Sequence, residues 1–421
     1  MTHILYIGSN GSGLQGIKAA IEKGYLVSFL TPSNGISFFP YDQLKDLESS
    51  LLFNKVCDDS YQSLYSTVLE INKGRKIDNI ITCVEYYVKN VAKIAESLSV
   101  PFSSYESISI ARDKNRTRLI LRDAGLNTVA STQVSSRDEV IDFIEKFHFP
   151  VVIKPIFGCS SLFVSVLRSI EDLNQYFESI ANSMQSIGSG IRNAIGDALM
   201  VEQYLEGPMF SVEIAASNDE YKVLTLGERM RSQVNEVIEK GTIIPAQVES
   251  HRWEEMTTYA INVAKAIKFK IGCAHIELIY TKRGPVLIEF NSRLAGADIP
   301  LLYNMVYNDN IYDHLNSAYQ NLTLQQNNPK DHIVGINRLI GSPDTTICNQ
   351  VFDFSWQETY KDFQLEIELN IKPGEEVQPL TSNHNYIGLF RAILPQGTNL
   401  QEFVADIEER ISHTIGIKLM G

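Results

Sequence analysis

Residues 274–293 read Ala-His-Ile-Glu-Leu-Ile-Tyr-Thr-Lys-Arg-Gly-Pro-Val-Leu-Ile-Glu-Phe-Asn-Ser-Arg, and the reading of this stretch decides the fold. Two apolar-rich runs flank Thr281–Pro285, the pattern of a β-hairpin with a short glycine-containing loop. Centring the loop on Arg283 sets Glu277 opposite Glu289 and His275 opposite Asn291. Side chains alternate faces along a strand. Ile276, Leu278, Val286, Ile288 and Phe290, with Tyr280 at the end, are thus expected in the core. The other face carries His275, Glu277, Glu289, Asn291 and Arg293, with Ile279 and Leu287 nearer the turn.

Like charges facing each other across a sheet destabilise it. Two carboxylates with an amide beside them gain most from a hard cation. Their oxygens suit Mg²⁺, which keeps several waters and commonly takes substrate phosphates as further ligands, with Mn²⁺ as the alternative. Zinc fits poorly, since one imidazole without a thiolate is a weak nitrogen/sulfur set. A solvated hairpin face explains Glu277 and Glu289 alone about as well; Asn291 and Arg293 in register favour the metal. A one-residue slip in register would undo that reading.

Working outward, 421 residues suggest two or three domains, and 44% hydrophobic with 21% charged residues describe an ordinary globular protein. A formal net charge of −13 argues against nucleic acid and anionic membranes as partners. The start, Met-Thr-His-Ile-Leu-Tyr-Ile-Gly, has no basic segment before its short apolar run, so no signal peptide is expected. Five cysteines without paired metal spacing fit a reducing, cytoplasmic location.

His3–Gly8, a glycine-rich turn and a helix to about Lys23 lead into a strand over Tyr25–Leu30, a βαβ start. The end of that second strand, Leu30-Thr31-Pro32-Ser33-Asn34, lacks the carboxylate that would hold a ribose. A Rossmann-like fold without NAD is therefore expected. Glu85, Tyr86 and Tyr87 follow the strand Asp78–Cys83, where parallel sheets line their crevice, so Glu85 is a candidate substrate contact. A helix-start carboxylate is an equally good explanation of Glu85. The basic run Arg112–Arg118 suggests an anion nearby, although a solvated face is the default for most of it.

Lys154 ends the apolar strand Val151–Pro155 and needs a partner there. Gly158-Cys159-Ser160-Ser161 offers hydroxyls and N–H groups of the kind that cradle phosphate. The segment from Glu228 to Pro245 lacks periodicity and reads as an ordered loop over a site. Residues 325–330 read as a boundary, and the final ninety residues as strands plus a helix over Leu400–Ile415 that complete a core or cover the site.

The order Lys114, Lys154-Pro155, Glu202-Gln203-Tyr204-Leu205, Glu277, Glu289-Phe290-Asn291-Ser292-Arg293 resembles the ATP-grasp superfamily along the whole chain. Within it, the chain resembles carboxylate–amine ligases that join amino acids into dipeptides. The resemblance implies an α/β ATP-grasp fold: a Rossmann-like N-terminal domain (1–105), a lid subdomain with linking helices (106–205), a catalytic core with the metal hairpin (206–325) and a C-terminal α+β domain (326–421). It implies that Lys114, Lys154, Ser160 and Ser161 hold ATP phosphates. Glu202 would meet the adenine amino group, with backbone groups of Gln203 and Leu205 at the ring edge. Glu277, Glu289 and Asn291 would hold Mg²⁺, Arg293 the activated carboxylate, and Glu239 a substrate amino group. His275 would orient the phosphate or simply bond to its neighbours, and Glu85 and Gly296 would border the substrate.

The implied reaction is ATP-dependent amide formation between two small molecules through an acyl phosphate, releasing ADP. Its alternatives are a ligase or carboxylase acting on another metabolite and a non-catalytic nucleotide-binding module. A homodimer is one assembly the resemblance carries. The chain departs from the pattern at Met209, where an acidic residue for the ribose is usual; either Glu206 or Glu213 substitutes, or the ribose is held more weakly. Further departures are the glycine-poor 158–162 loop, Thr242 in the Glu-x-Gly-His position, Ser292, and Gly296-Ala297 in place of two glycines.

Overall fold

The structure is a computed structural model. It describes residues 1–32, 44–158, 161–186, 192, 195–232, 235–296, 298–324, 328–381, 383 and 385–420. Ser160 and Cys159 lie outside the described residues, so the expectation for the Ser160 hydroxyl is not addressed by it.

The chain opens with β1 (His3–Ile7), α1 (Gly11–Glu22), β2 (Leu26–Pro32), β3 (Phe53–Cys57), α2 (Tyr61–Gly74) and β4 (Asn79–Ile81). Its sheet is parallel, in the order β3-β2-β1-β4. Every residue of β1 is buried, as a parallel strand covered on both faces requires. Asn10 caps α1, its side chain accepting from the Gly13 N–H, so that N–H of the glycine-rich turn is already used within the chain. Three helices follow: α3 (Val88–Leu98), α4 (Tyr105–Arg112) and α5 (Lys114–Asp123).

A second, antiparallel sheet holds β5 (Ser131–Val134), β6 (Val151–Pro155), β7 (Ser165–Leu167) and β8 (Leu199–Gln203) in the order β5-β8-β6-β7. Helices α6 (Arg137–Phe147) and α7 (Ile170–Ser186) belong to this segment. Val140, Phe143, Ile144, Ile153, Leu173 and Val201 close its small separate core.

The third sheet contains β9 (Met209–Ser217), β10 (Glu220–Arg231), β11 (Glu239–Ile244), β12 (Gly272–Thr281) and β13 (Gly284–Asn291), with α8 (Ser250–Ala266) packed on one face. After α9 (Ile299–Val306) and α10 (Ile311–Tyr319) come β14 (Ile333–Ile340), β15 (Thr346–Ile347), β16 (Glu366–Leu369), β17 (Glu376–Val377), β18 (Gly388–Pro395) and α11 (Leu400–Ile415). The order β13-β12-β9-β10-β11-β14-β18-β16 runs through eight strands, and β11 pairs directly with β14. One sheet therefore crosses the sequence boundary read at 325–330.

Two expectations need correction. Glu228–Pro245 is not a loop: its ends are strands, and Arg229 pairs across to Met209 and Thr242. Its polar residues mask the period-2 pattern because alternate positions face a cleft rather than apolar core. The hairpin turn is also tighter than read, since Thr281 pairs with Gly284. A register shift after Glu277 sets Leu278 opposite Leu287, so Ile288 is the extra residue of a bulge. Parity changes there. Leu287 joins the core under α8, while Ile288 lines the cleft beside Ile279.

Candidate active site

The cleft is built on the hairpin face that the bulge leaves intact. Glu277 pairs with Glu289 on one side and Ser211 on the other; His275 pairs with Asn291 and Glu213. The intervening residues Ile276, Phe290 and Val212 point the other way, into the core beneath α8. Alternation alone thus places two acidic rows side by side. A cleft of about 930 Å³ opens over them between the second and third sheets. Of the residues expected at a site, Lys114, Lys154, Ser161, Glu202, Gln203, Leu205, Glu239, Glu277 and Glu289 line it. His275 and Asn291 sit one rung further along the same hairpin and are buried.

Each acid there meets a cation from the chain itself. Lys114 Nζ lies 2.7 Å from Glu289 Oε1 and donates to the Gly158 carbonyl at 2.7 Å. His275 bridges two carboxylates, Nδ1 to Glu213 Oε1 at 2.5 Å and Nε2 to Glu277 Oε1 at 3.0 Å. Burial disfavours its charged form, but Glu213 and Glu277 outweigh burial and lift its pKa to about 9. Burial likewise pushes the Glu277 carboxyl up; the His275 hydrogen bond and charge, with Arg229 and Arg293, pull it down below the usual carboxylate range.

Glu202 is held from both sides. Arg118 Nε donates to Oε1 at 2.9 Å and Lys154 Nζ lies 2.5 Å from Oε2. Arg118 also donates to the carbonyl of Ile288, the bulge residue, at 2.7 Å. At Lys154 burial prevails and lowers the pKa; at Glu202 burial opposes the charge, and Arg118 and Lys154 overcome it. The carboxylate expected to face adenine is thus also the anchor of a buried three-residue ion cluster. The Gln203 N–H donates to the Ala130 carbonyl at 3.0 Å, so that N–H is not a ring-edge donor.

Glu85 is not an open substrate contact. It is buried between Arg112, whose Nη1 donates to Oε1 at 3.2 Å, and Arg293, whose Nε lies 3.0 Å from Oε2 as an ion pair without hydrogen-bond alignment. Its direct effect is to aim Arg293. Gly296 lies near the first turn of the N-terminal sheet: a Cβ there would meet only the Asn10 amide nitrogen, at 3.9 Å. Neither substitute for a ribose acid faces the cleft as expected. Glu213 is bonded to His275, and Glu206 borders a separate groove by the hairpin turn. Glu236 does line the cleft near Met209, its carboxylate accepting from the Tyr204 hydroxyl and Arg168.

Arg118, Arg229 and Glu236 escaped the sequence reading. For Arg118 a signal existed, since it lies one helical turn after Lys114 and so shares its face. Among the described residues, no group of three His, Cys, Asp or Glu side chains forms a preformed metal cage. Two opposed carboxylates and an amide suit instead a hard ion that completes its shell with phosphate and water. No described helix is long and apolar enough to cross a membrane.

Residues 147–300 match the family model for the ATP-grasp domain. Dapdiamide A synthase of Enterobacter agglomerans is 25% identical over 212 residues, 49% of this chain and 48% of that protein. Alanine–anticapsin ligase of Bacillus subtilis is 22% identical over 324 residues, 69% of this chain and 67% of that protein. The crystal structure of L-amino acid ligase from Bacillus licheniformis superposes with a TM-score of 0.76 at 19% identity, covering 97% of this chain and 98% of that one. The chain has the ATP-grasp fold, and its residues 147–300 are an ATP-grasp domain.

Proposed function

We propose that the protein joins a carboxylate to an amine at the expense of ATP, and that both partners are amino acids. One observation carries this reading: Glu277 and Glu289 share a rung of the hairpin, inside a cleft that also receives Lys114 and Lys154. The names of the relatives above, which include two amino acid ligases, support the substrate class.

A carboxylate oxygen attacks the γ-phosphorus and the bond to ADP breaks. The amine nitrogen then attacks the acyl carbon, phosphate leaves with the bonding pair, and the nitrogen loses its proton. Positioning and charge neutralisation dominate phosphoryl transfer. Lys114 and Lys154 hold phosphate oxygens, with the Ser161 hydroxyl beside them. Arg293, aimed by Glu85, grips the reacting carboxylate. Glu239 receives a substrate amino group. His275 fixes the orientation of Glu277 by bridging it to Glu213. Mg²⁺ held by Glu277, Glu289 and Asn291 would neutralise charge on the phosphates.

Within the chain alone, Lys114 neutralises Glu289. Glu289 is one of the residues that would hold Mg²⁺ and Lys114 one that would hold a phosphate oxygen, so their mutual pairing offsets both charges within the chain. The order of the chain supports a division into 1–105, 106–205, 206–325 and 326–421, with the second segment as a lid that keeps water from the acyl phosphate. ADP release with MgATP and pairs of L-amino acids tests the reading. Glu289→Gln is expected to lower it at least ~100-fold, as loss of one preorganised charged contact does. Release by this variant at the wild-type rate, or no release by the wild type with any pair, would reject it.

A further inference from the structure

An open side branch joins the cleft where the second sheet meets β10 and the segment after it. It shares Met209, Arg231 and Glu236 with the nucleotide cleft, and three arginines border it: Arg168, Arg229 and Arg231. Two of these have their charge directed elsewhere. Arg168 pairs with Glu236, and Arg231 donates to the Gly207 carbonyl at 2.9 Å.

Arg229 differs. Its side chain is 10% exposed, Nη2 meets Glu239, and Nε and Nη1 are buried without a hydrogen-bond partner among the described residues. A buried donor without an acceptor is destabilising, and a guanidinium cannot escape by losing its proton. Strand geometry fixes the place: Arg229 sits between Met209 and Thr242, on the face of the sheet that carries Glu277. An acceptor is missing beside Glu239, the residue expected to meet a substrate amino group.

We propose that Arg229 anchors the amine-bearing substrate by an anionic group set apart from its reacting nitrogen, a carboxylate or a phosphate, with Nε and Nη1 as donors and the amino group within reach of Glu239. The assignment rests on the ligase reading and deepens it by naming the residue that holds the amine partner's own carboxylate, or a phosphate in its place. Glu277 and Glu213 also attract Arg229 electrostatically, so a purely neutralising role is the competing account.

The test uses the full chain with saturating MgADP. Calorimetry measures binding of the L-amino acids, their α-amides and O-phosphoethanolamine to the wild type and to Arg229→Gln. At least one anionic probe is expected to bind the wild type tenfold or more tighter than its uncharged counterpart. Arg229→Gln should erase that difference while MgADP affinity stays within twofold. A preferred free amino acid identifies the group as carboxylate, and a preferred O-phosphoethanolamine as phosphate. Arg229→Lys, which keeps the charge but loses two donors, should fall between and serves if the glutamine variant does not fold. The proposal is overturned if the variant keeps the discrimination with only a lowered melting temperature. Equal binding of acid and amide by the wild type, or binding of MgADP but no probe, overturns it too. Failure of the wild type to bind MgADP would instead remove the ATP reading beneath it.

Discussion

Replacing Arg118 by Met should be among the most damaging single changes outside the hairpin sequence itself. Its side chain is 3% exposed and makes two contacts that methionine cannot replace, one to Glu202 and one to the Ile288 carbonyl. Hydrogen bonds to charged groups contribute ~1.5–3 kcal/mol, and removing one partner of a buried ion pair costs ~3–5 kcal/mol. Lys154 remains on the other oxygen of Glu202, so about 3–4 kcal/mol is expected. With an unfolding entropy of ~2.1 cal/mol/K per residue, a chain of 421 residues loses about 4 °C in melting temperature for that change. The same substitution frees the bulge carbonyl and loosens Lys154, so MgADP affinity should fall at least tenfold. Scanning calorimetry and nucleotide titration read the two effects. The double variant Arg118→Met, Glu202→Gln should be less destabilised than the sum of the single changes, because no half-paired carboxylate remains. A melting temperature within 1 °C of wild type together with unchanged MgADP affinity would refute the argument.

Lys240 gives a pH signature. It is fully buried, donates to the Met420 carbonyl, and burial with Arg338 nearby lowers its pKa from 10.5 to about 8, Glu408 opposing. The unfolded chain then binds the extra proton between those values, so stability rises with pH from about 8 to 10.5. Relative to Lys240→Met, wild-type denaturation midpoints should gain ~2–3 kcal/mol over that interval; parallel curves would dismiss the assignment. Gly207→Ala should destabilise by more than ~1 kcal/mol, since φ is +145° and the new Cβ would lie 2.2 Å from the Tyr280 carbonyl oxygen. An unchanged melting temperature would show that the chain relaxes there freely. Burial pushes the Cys57 thiol up to about 11 and Cys83 to about 12, so a disulfide reagent at pH 8 should label both only after unfolding. Rapid labelling of Cys83 in the native protein would contradict its burial.

The acidic hairpin was legible because its polar and apolar residues keep a strict alternation from His275 to Glu277 and from Glu289 to Asn291. Its bulge was not, since Leu287 and Ile288 are apolar alike and no glycine marks the extra residue. The basic run Arg112–Arg118 suggests an anion nearby with most of its members solvated, and not these ion pairs, because the partners of Arg112 and Arg118 are distant, Glu85 by 27 positions and Glu202 by 84. Local pattern puts Arg118 on the Lys114 face of its helix but names neither partner. The strand over Arg229 and Arg231 was hidden by its own use, because side chains that face a polar cleft do not spell a hydrophobic period. Glu239 was reachable only through the resemblance, and its partner Arg229 not even by that route.

The pairing of Gly241–Ile244 with Gly335–Arg338 has a consequence for anyone trimming the gene. Ending the polypeptide at residue 325 would not release a tidy catalytic fragment. It would unzip the rim of the sheet and leave a bare ribbon of amide and carbonyl groups beside Glu239, a template on which other copies would aggregate.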